Sequence, residues 1–420
     1  MTLIAPFRAL RFDPTVTGSL DEVITPPYDV ISPAEREELA RRNPYNMTHV
    51  ILPRATGDES DPYAVAARIF RQWIADKALK QDPEPSWYLL RQQFVDPRGV
   101  AKTRHAFFAR VKLPEAGENR ILGHERTFDK PFEDRLRLIR SVEAVPGAVF
   151  ALYADPDRRI QSVFDAQLNR PPDAVFTTFE GTRQDLWRVP QTVLDPSSLE
   201  KQTLYIADGH HRFRTACAYR DEMRVQTGLT DGHQPWDYTL MGFVAFEDQG
   251  LAVYPTHRLV PVTHSLDQAT VRAALEPWFT LETVAMEHLA DQVETATGPG
   301  CFGMVWPDGT AWLLTFRGDR KTLLGTSRHE AWRNLDVALL HGGVLERLLG
   351  VPSDLALEYE KDAGKVIAAA VGGRATVAFL LRSTPPDQIR ACAEAGEPMP
   401  QKSTYFFPKL PTGAVIYPLR

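Results

Sequence analysis

Cysteine is scarce in this chain: Cys217, Cys301 and Cys392 are the only three in 420 residues, and none forms a CxxC pair. That excludes a disulfide framework and a thiolate zinc centre, and the three read as small buried hydrophobes in a reducing compartment. Basic charge is also short. Lys and Arg total 48 against 54 Asp and Glu, a net charge of −6. Bulk nucleic-acid affinity needs a cationic face, so nucleic acid is not the expected partner, although a local basic cleft stays open. No stretch approaches the ~20 apolar residues that span a bilayer. The opening MTLIAPFRALRFDP has no charged leader with an apolar run behind it, so a cytoplasmic protein with no membrane contact is expected. There is no HExxH, no Cys/His cluster with zinc spacing, no internal repeat and no low-complexity linker.

The remaining composition is that of a globular protein: 43% hydrophobic, 24% charged, with 33 prolines scattered as turn punctuation. The length allows two or three domains. PPYDVISPAEREEL predicts a rigid turn and a marked helix start, with Ser32 as N-cap, Pro33 in the first turn and Glu35 completing a capping box. Tyr63 to Lys77 reads as an amphipathic helix. SWYLLRQQFVD and HAFFARVKL read as a hairpin around Pro97–Gly99, and VFALYADPD, MGFVAFED and LAVYPTHRL as strands. From Ser265 the pattern changes to short alternating helices and strands, including a hairpin turned by Pro307, Asp308 and Gly309 and a helix from Asn334 to Leu349 that glycines 342 and 343 would kink. The expected division is therefore 1–264 and 265–420.

The most informative segment is TLYIADGHHRFRTACAYRDE, Thr203 to Glu222. Thr203 to Ala207 favour a buried strand, Gly209 permits a sharp reversal, and a helical pattern starts at His211. The first N–H groups of a helix have no internal partners and carry partial positive charge. With Arg212 and two imidazoles beside them, they suit a phosphate. A lone histidine there would be a helix cap and nothing more. Asp208, Gly209, His210, His211 and Arg212 together, at a strand-to-helix switch, predict a ligand site.

Other candidates carry two readings each. Asp29 is either turn chemistry upstream of the Ser32 cap or a carboxylate held rigidly by Pro26 and Pro27. In GHERTFDKPFEDRLRLIR, His124, Glu125 and Arg126 form either a solvated charge run or a loop that contacts substrate. His257 and Arg258, at the end of LAVYPTHRL, are either structural or turned toward a site. In PMPQKSTYFFPKLPTG, Lys402, Ser403, Thr404 and Lys409 could contact phosphate, but glycine is too sparse for a P-loop, and a proline-ruled loop whose aromatics pack a core explains the segment as well.

IADGHHR followed by TACAYRDE resembles the signature of the prokaryotic domain-of-unknown-function 1015 family. The likeness runs through FRALRFDP, TPPYDVISPAEREELARRNPYN, GHERTFDKPFEDRLRLIRS, YPTHRLV, LDVALLHGGVLERLLG and AGEPMPQKSTYFFPKLPTG, in one order over nearly the whole chain. More distantly, strand, Gly, two polar residues, Arg and helix is similar to the nucleotide-binding box of the ParB/sulfiredoxin superfamily. That box reads Gly-Glu-Arg-Arg in partition proteins and Gly-Cys-His-Arg in sulfiredoxin, and it is similar to Asp-Gly-His-His-Arg in archaeal free serine kinases. Here His210 stands where sulfiredoxin needs its thiol, which removes sulfinate repair.

The resemblance implies a mixed α/β fold with a ParB/sulfiredoxin-like nucleotide-binding core and a C-terminal α/β module. It also implies a kinase acting on a small hydroxylated metabolite, free L-serine first, giving O-phosphoserine. Gly209, His210, His211, Arg212 and Lys402 would bind phosphate or nucleotide. His210, His211 and one of Asp29, Glu125 and Asp208 would do the chemistry, with His124, Arg126, His257 and Arg258 on the substrate. Mg²⁺ and a nucleotide, ATP or ADP, or pyrophosphate would be the cofactors. A nucleotide-binding switch or DNA-associated protein like the partition proteins is the alternative. A metal-dependent hydrolase using these histidines ranks last, because adjacent His210 and His211 diverge by about 100° on a helix.

Overall fold

The computed structural model describes residues 3–57, 59–97 and 99–420. Contacts divide the chain into two compact units. The first comprises Met1–Leu122, Thr127–Leu251 and Pro408–Arg420, and the second Gly123–Arg126 and Ala252–Phe407. The change of pattern at Ser265 therefore lies inside the second unit. The fold is mixed α/β.

The first unit is built on a mixed sheet that runs Ile121–Leu122, Leu204–Asp208, Val149–Tyr153, Tyr238–Ala245, Ala101–Lys112, Ser86–Val95, Arg183–Pro190, Ala174–Thr177. Ser86–Val95 and Ala101–Lys112 form the expected long antiparallel hairpin. Arg98, in the turn expected between them, lies outside the described residues. Leu204–Asp208 is parallel to Ile121–Leu122 and antiparallel to Val149–Tyr153, and Tyr238–Ala245 is parallel to Val149–Tyr153. One buried cluster centres on Trp87, Phe107, Trp187 and Phe243; Phe107 and Phe243 stack at 4.7 Å. A second gathers Phe12, Met47, Phe70, Trp73 and Ile416. Ser32 caps the helix Pro33–Arg42 as its sequence predicts: its hydroxyl accepts from Glu35 N, and Glu35 accepts from Ser32 N at 2.8 Å. The C-terminal stretch is tied in by antiparallel bridges, Thr25 with Thr412 and Leu10 with Ile416, and by Tyr417–Pro418 pairing with Ala144–Val145.

The second unit holds an antiparallel sheet ordered Phe279–Thr283, Ala311–Phe316, Cys301–Val305, Ala375–Leu381, His257–Pro261, Glu358–Glu360. Helices Met286–Thr295 and Ala363–Val371 cover it through Leu289, Val293, Val366 and Ala370. Two expectations change here. LAVYPTHRL is two strands, Ala252–Tyr254 and His257–Pro261, in separate sheets, because Pro255 interrupts the run. Asn334–Leu349 is a short α-turn, Asp336–Ala338, running into a π-helix at Leu339–Leu348. A Cβ on Gly343 would stand 3.0 Å from Leu323 Cδ2, so the glycine lets that leucine pack close. No helix among the described residues is long and apolar enough to cross a membrane.

Candidate functional site

The signature segment folds as strand Leu204–Asp208, a turn at Gly209, and helix His210–Thr227. The strand's register with Val149–Tyr153 shifts between Ile206 and Asp208, an irregularity that re-aims the last side chain of a strand. Gly209 sits at φ 89°, where a β-carbon is unfavourable. A Cβ there would also lie 2.9 Å from Arg212 Cζ, so the guanidinium lies directly over the glycine. Among the described residues the N-cap, Gly209, supplies no side-chain cap to the helix start.

Asp208 is the hub of the turn. One carboxylate oxygen accepts from Lys409 Nζ at 2.8 Å and the other from Arg212 Nη2 at 2.6 Å, with 17% of its side chain exposed. Burial opposes its ionisation, but the charges of Lys409 and Arg212 outweigh that and hold the carboxyl well below the usual range. Arg212 also donates through Nη1 to the Ala148 carbonyl, while its Nε is buried without a partner among the described residues. Lys409, 8% exposed, enters from the end of the proline-ruled loop.

The two histidines differ. His210 is 6% exposed, and burial pushes it down to about 4, so it is neutral near pH 7. Desolvation there outweighs the pull of Asp208. His211 is half-buried, and its Nε2 accepts from Phe128 N at 2.9 Å. A lone pair used this way anchors the Thr127–Asp129 segment, which Arg214 also holds through Thr127 Oγ1 at 3.2 Å and Asp129 at 2.9 Å.

Asp29 is exposed in the short turn Tyr28–Val30. Burial raises the Tyr28 hydroxyl to about 12, and the hydroxyl feels the charges of Asp29, Arg135 and Arg212. The PPYD turn therefore approaches the electrostatic field of the Asp208 turn within one unit.

The other expected residues belong to the second unit. His124 is 1% exposed, with Nε2 3.3 Å from Thr404 Oγ1, and its carbonyl accepts from Met399 N. Glu125 is half-buried and Arg126 exposed. Lys402 is exposed, at a left-handed φ of 52°. His257 accepts from Leu381 N through Nδ1 at 3.1 Å; burial first, then the charge of Arg258, pushes it down to about 4. Arg258 donates to His341 Nε2 and to the carbonyls of Thr256, Gln401 and Lys402. These four contacts commit most of its five N–H donors to bracing the loop. The lysine that meets the Asp208 turn is thus Lys409, which the same loop also offers. Pattern alone does not separate the two, since both lie between prolines. Among the described residues no group of three or more His, Cys, Asp or Glu is placed to hold a metal ion. Burial raises the Cys217 and Cys392 thiols to about 11, and Cys301 also upward.

Among solved structures, free serine kinase in complex with AMP is similar to this chain at 13% identity, with TM-score 0.33, over 71% of this chain and 86% of that one. A conserved hypothetical protein from Pyrococcus furiosus is similar at 12% identity, TM-score 0.35, over 73% and 93%. A C-terminally truncated SbnI from Staphylococcus aureus is similar at 10%, TM-score 0.35, over 72% and 84%. No curated protein matches the sequence. With the family of proteins of unknown function DUF1015 matching residues 4–338, most of the chain, the protein belongs to that family.

Proposed function

We propose that the protein is a small-molecule kinase that binds a nucleotide's phosphates at the Gly209 turn and phosphorylates a hydroxylated metabolite, free L-serine first. One observation carries the reading: an eighteen-residue helix starts without a side-chain cap beside a carboxylate that already gathers Lys409 and Arg212. Helix N–H groups and two cations converging on one turn suit a polyanion.

In this reading Lys409 and the N–H groups at the helix start hold phosphate oxygens, and Asp208 keeps Lys409 and Arg212 oriented. His210, neutral, offers a hydrogen bond in place of a charge. Asp29, an exposed carboxylate on a rigid turn, takes the proton from the attacking hydroxyl as its oxygen bonds phosphorus and the bond to the leaving phosphate breaks. Mg²⁺ would neutralise the donor's phosphates, and Asp29 is the exposed carboxylate near the turn suited to help hold it.

The test is purified protein with Mg²⁺ and L-serine, supplied in turn with ATP, ADP and pyrophosphate and followed by phosphorus NMR. O-Phosphoserine should form, and L-alanine should give no phosphorylated product, since it lacks the attacking hydroxyl. Nucleotide binding without phosphorylation of any hydroxylated metabolite would favour a nucleotide-binding switch. The observation on that side is that both oxygens of Asp208 are already engaged by cations.

A further inference from the structure

The face of the signature helix that carries Arg212 also lines a narrow pocket within the first unit. Pro27, Ile51, Leu138, Ile139 and Val145 make its walls apolar. Three polar groups there are out of place in a hydrophobic cavity. Thr215, 3% exposed, comes from the helix, and Thr239, 1% exposed, from the strand Tyr238–Ala245. Neither hydroxyl has a hydrogen-bond partner among the described residues, and neither has the Nε of Arg212. Such groups are desolvated at a cost that an arriving partner would recover. Tyr28 and Arg135 also line the pocket, with the guanidinium carbon 4.1 Å from the ring centroid, so a cation–π pair forms part of its wall.

The chemistry narrows the occupant. An aliphatic chain would suit the walls and leave both hydroxyls unsatisfied. An anion would suit Arg212 and not the walls. A hydroxyl donates and accepts, which matches the alternating ring nitrogens, amino and oxo groups on the edge of a heteroaromatic ring. A ring's π face also suits a wall built partly from the Tyr28 ring and the Arg135 guanidinium. Arg212 faces this pocket and also closes the Asp208 turn.

We propose that this pocket receives a nucleobase, with Thr215 and Thr239 reading its polar edge. The inference deepens the phosphate-site reading and rests on it only for the orientation of the whole nucleotide, because a nucleoside needs the pocket alone. The experiment uses the full chain, calorimetric titration with adenosine, guanosine, cytidine, uridine and, separately, inorganic pyrophosphate. At least one nucleoside should bind. Thr215→Val with Thr239→Val, isosteric and apolar, should weaken it about tenfold or more while pyrophosphate affinity stays within twofold. Circular dichroism and thermal melting check the fold. Ala216→Leu, which fills the pocket from the helix, should block the nucleoside and again spare pyrophosphate. Should the double valine variant fail to fold, the leucine variant carries the test. Failure of every nucleoside to bind, or unchanged affinity in a folded variant, overturns the nucleobase assignment even if pyrophosphate binds. Nucleoside binding without pyrophosphate binding would leave the pocket standing and overturn the phosphate reading.

Discussion

Each unit holds an arginine largely shielded from solvent, Arg212 in the first and Arg258 in the second, and the two solve the problem of its charge differently. In the first, Arg212 shares the carboxylate of Asp208 with Lys409 beside an uncapped helix start. In the second, Arg258 is 1% exposed and has no carboxylate within ion-pair distance among the described residues; its donors go to His341 and to three carbonyls. Burial lowers Arg258 to about 10. A guanidinium with four of its five N–H donors taken by three carbonyls and an imidazole braces a loop and has little left for a ligand. A carboxylate with two cations on it, next to a helix start, presents net positive charge that an anion can share. Chemistry is therefore expected at the first cluster and stiffness at the second.

The largest effect should come from Asp208→Ala, which leaves Arg212 and Lys409 buried and unpaired. A loss of about 3–5 kcal/mol is expected in urea denaturation. A folded variant at wild-type stability would mean that the cations find other partners and the hub is not Asp208. Next, Arg212→Lys should lower pyrophosphate affinity or turnover by about tenfold, on the order of 1–3 kcal/mol, because an ammonium cannot reach both Asp208 and Ala148 as the planar fork does. Wild-type behaviour would place Arg212 outside the phosphate contacts. Arg258→Met should cost a similar about 1–3 kcal/mol of stability through the orphaned carbonyls, yet leave pyrophosphate binding unchanged. Lost binding in a folded variant would return Arg258 to the list of ligand residues.

Acid should separate the clusters further. Burial lowers His210 and His257 to about 4 and His341 to about 3. Each is neutral when folded, while the unfolded chain takes up its proton first as pH falls below about 6.5. Their stabilising contribution is full above that value and lost as pH falls toward 4 and 3. His341→Gln, which can still accept from Arg258, should flatten the fall of the urea midpoint between pH 6.5 and 4. An unchanged slope would show that His341 does not set it. The smallest effect is expected from replacing all three cysteines by alanine. Their thiols are held protonated, so activity should persist with only packing loss. Loss of turnover in a folded variant would restore a sulfur mechanism.

Much of the frame was legible locally. The capping box at Ser32, the long hairpin, and the strand, glycine and helix of the signature segment all rest on interactions within a few residues, which sequence displays directly. The π-helix at Leu339–Leu348 was not: its glycines mark a kink in the sequence, whereas the close approach of Leu323, from a different helix, to Gly343 appears only in the folded chain. Nor was the break at Pro255, where one apolar run is divided between two sheets.

By itself the sequence determined the turn and its inventory: a glycine able to take φ 89°, a carboxylate before it, and two imidazoles and a guanidinium after it. Only the tertiary structure decided their states. It brought Lys409 across 201 residues to Asp208, buried His210 until it lost its proton, spent His211 on Phe128, and set Thr215 and Thr239 around one pocket. The reason is physical. A backbone conformation depends on its own residue and near neighbours, whereas charge, protonation and hydrogen-bond satisfaction depend on solvent exclusion and on groups that only the folded chain brings together.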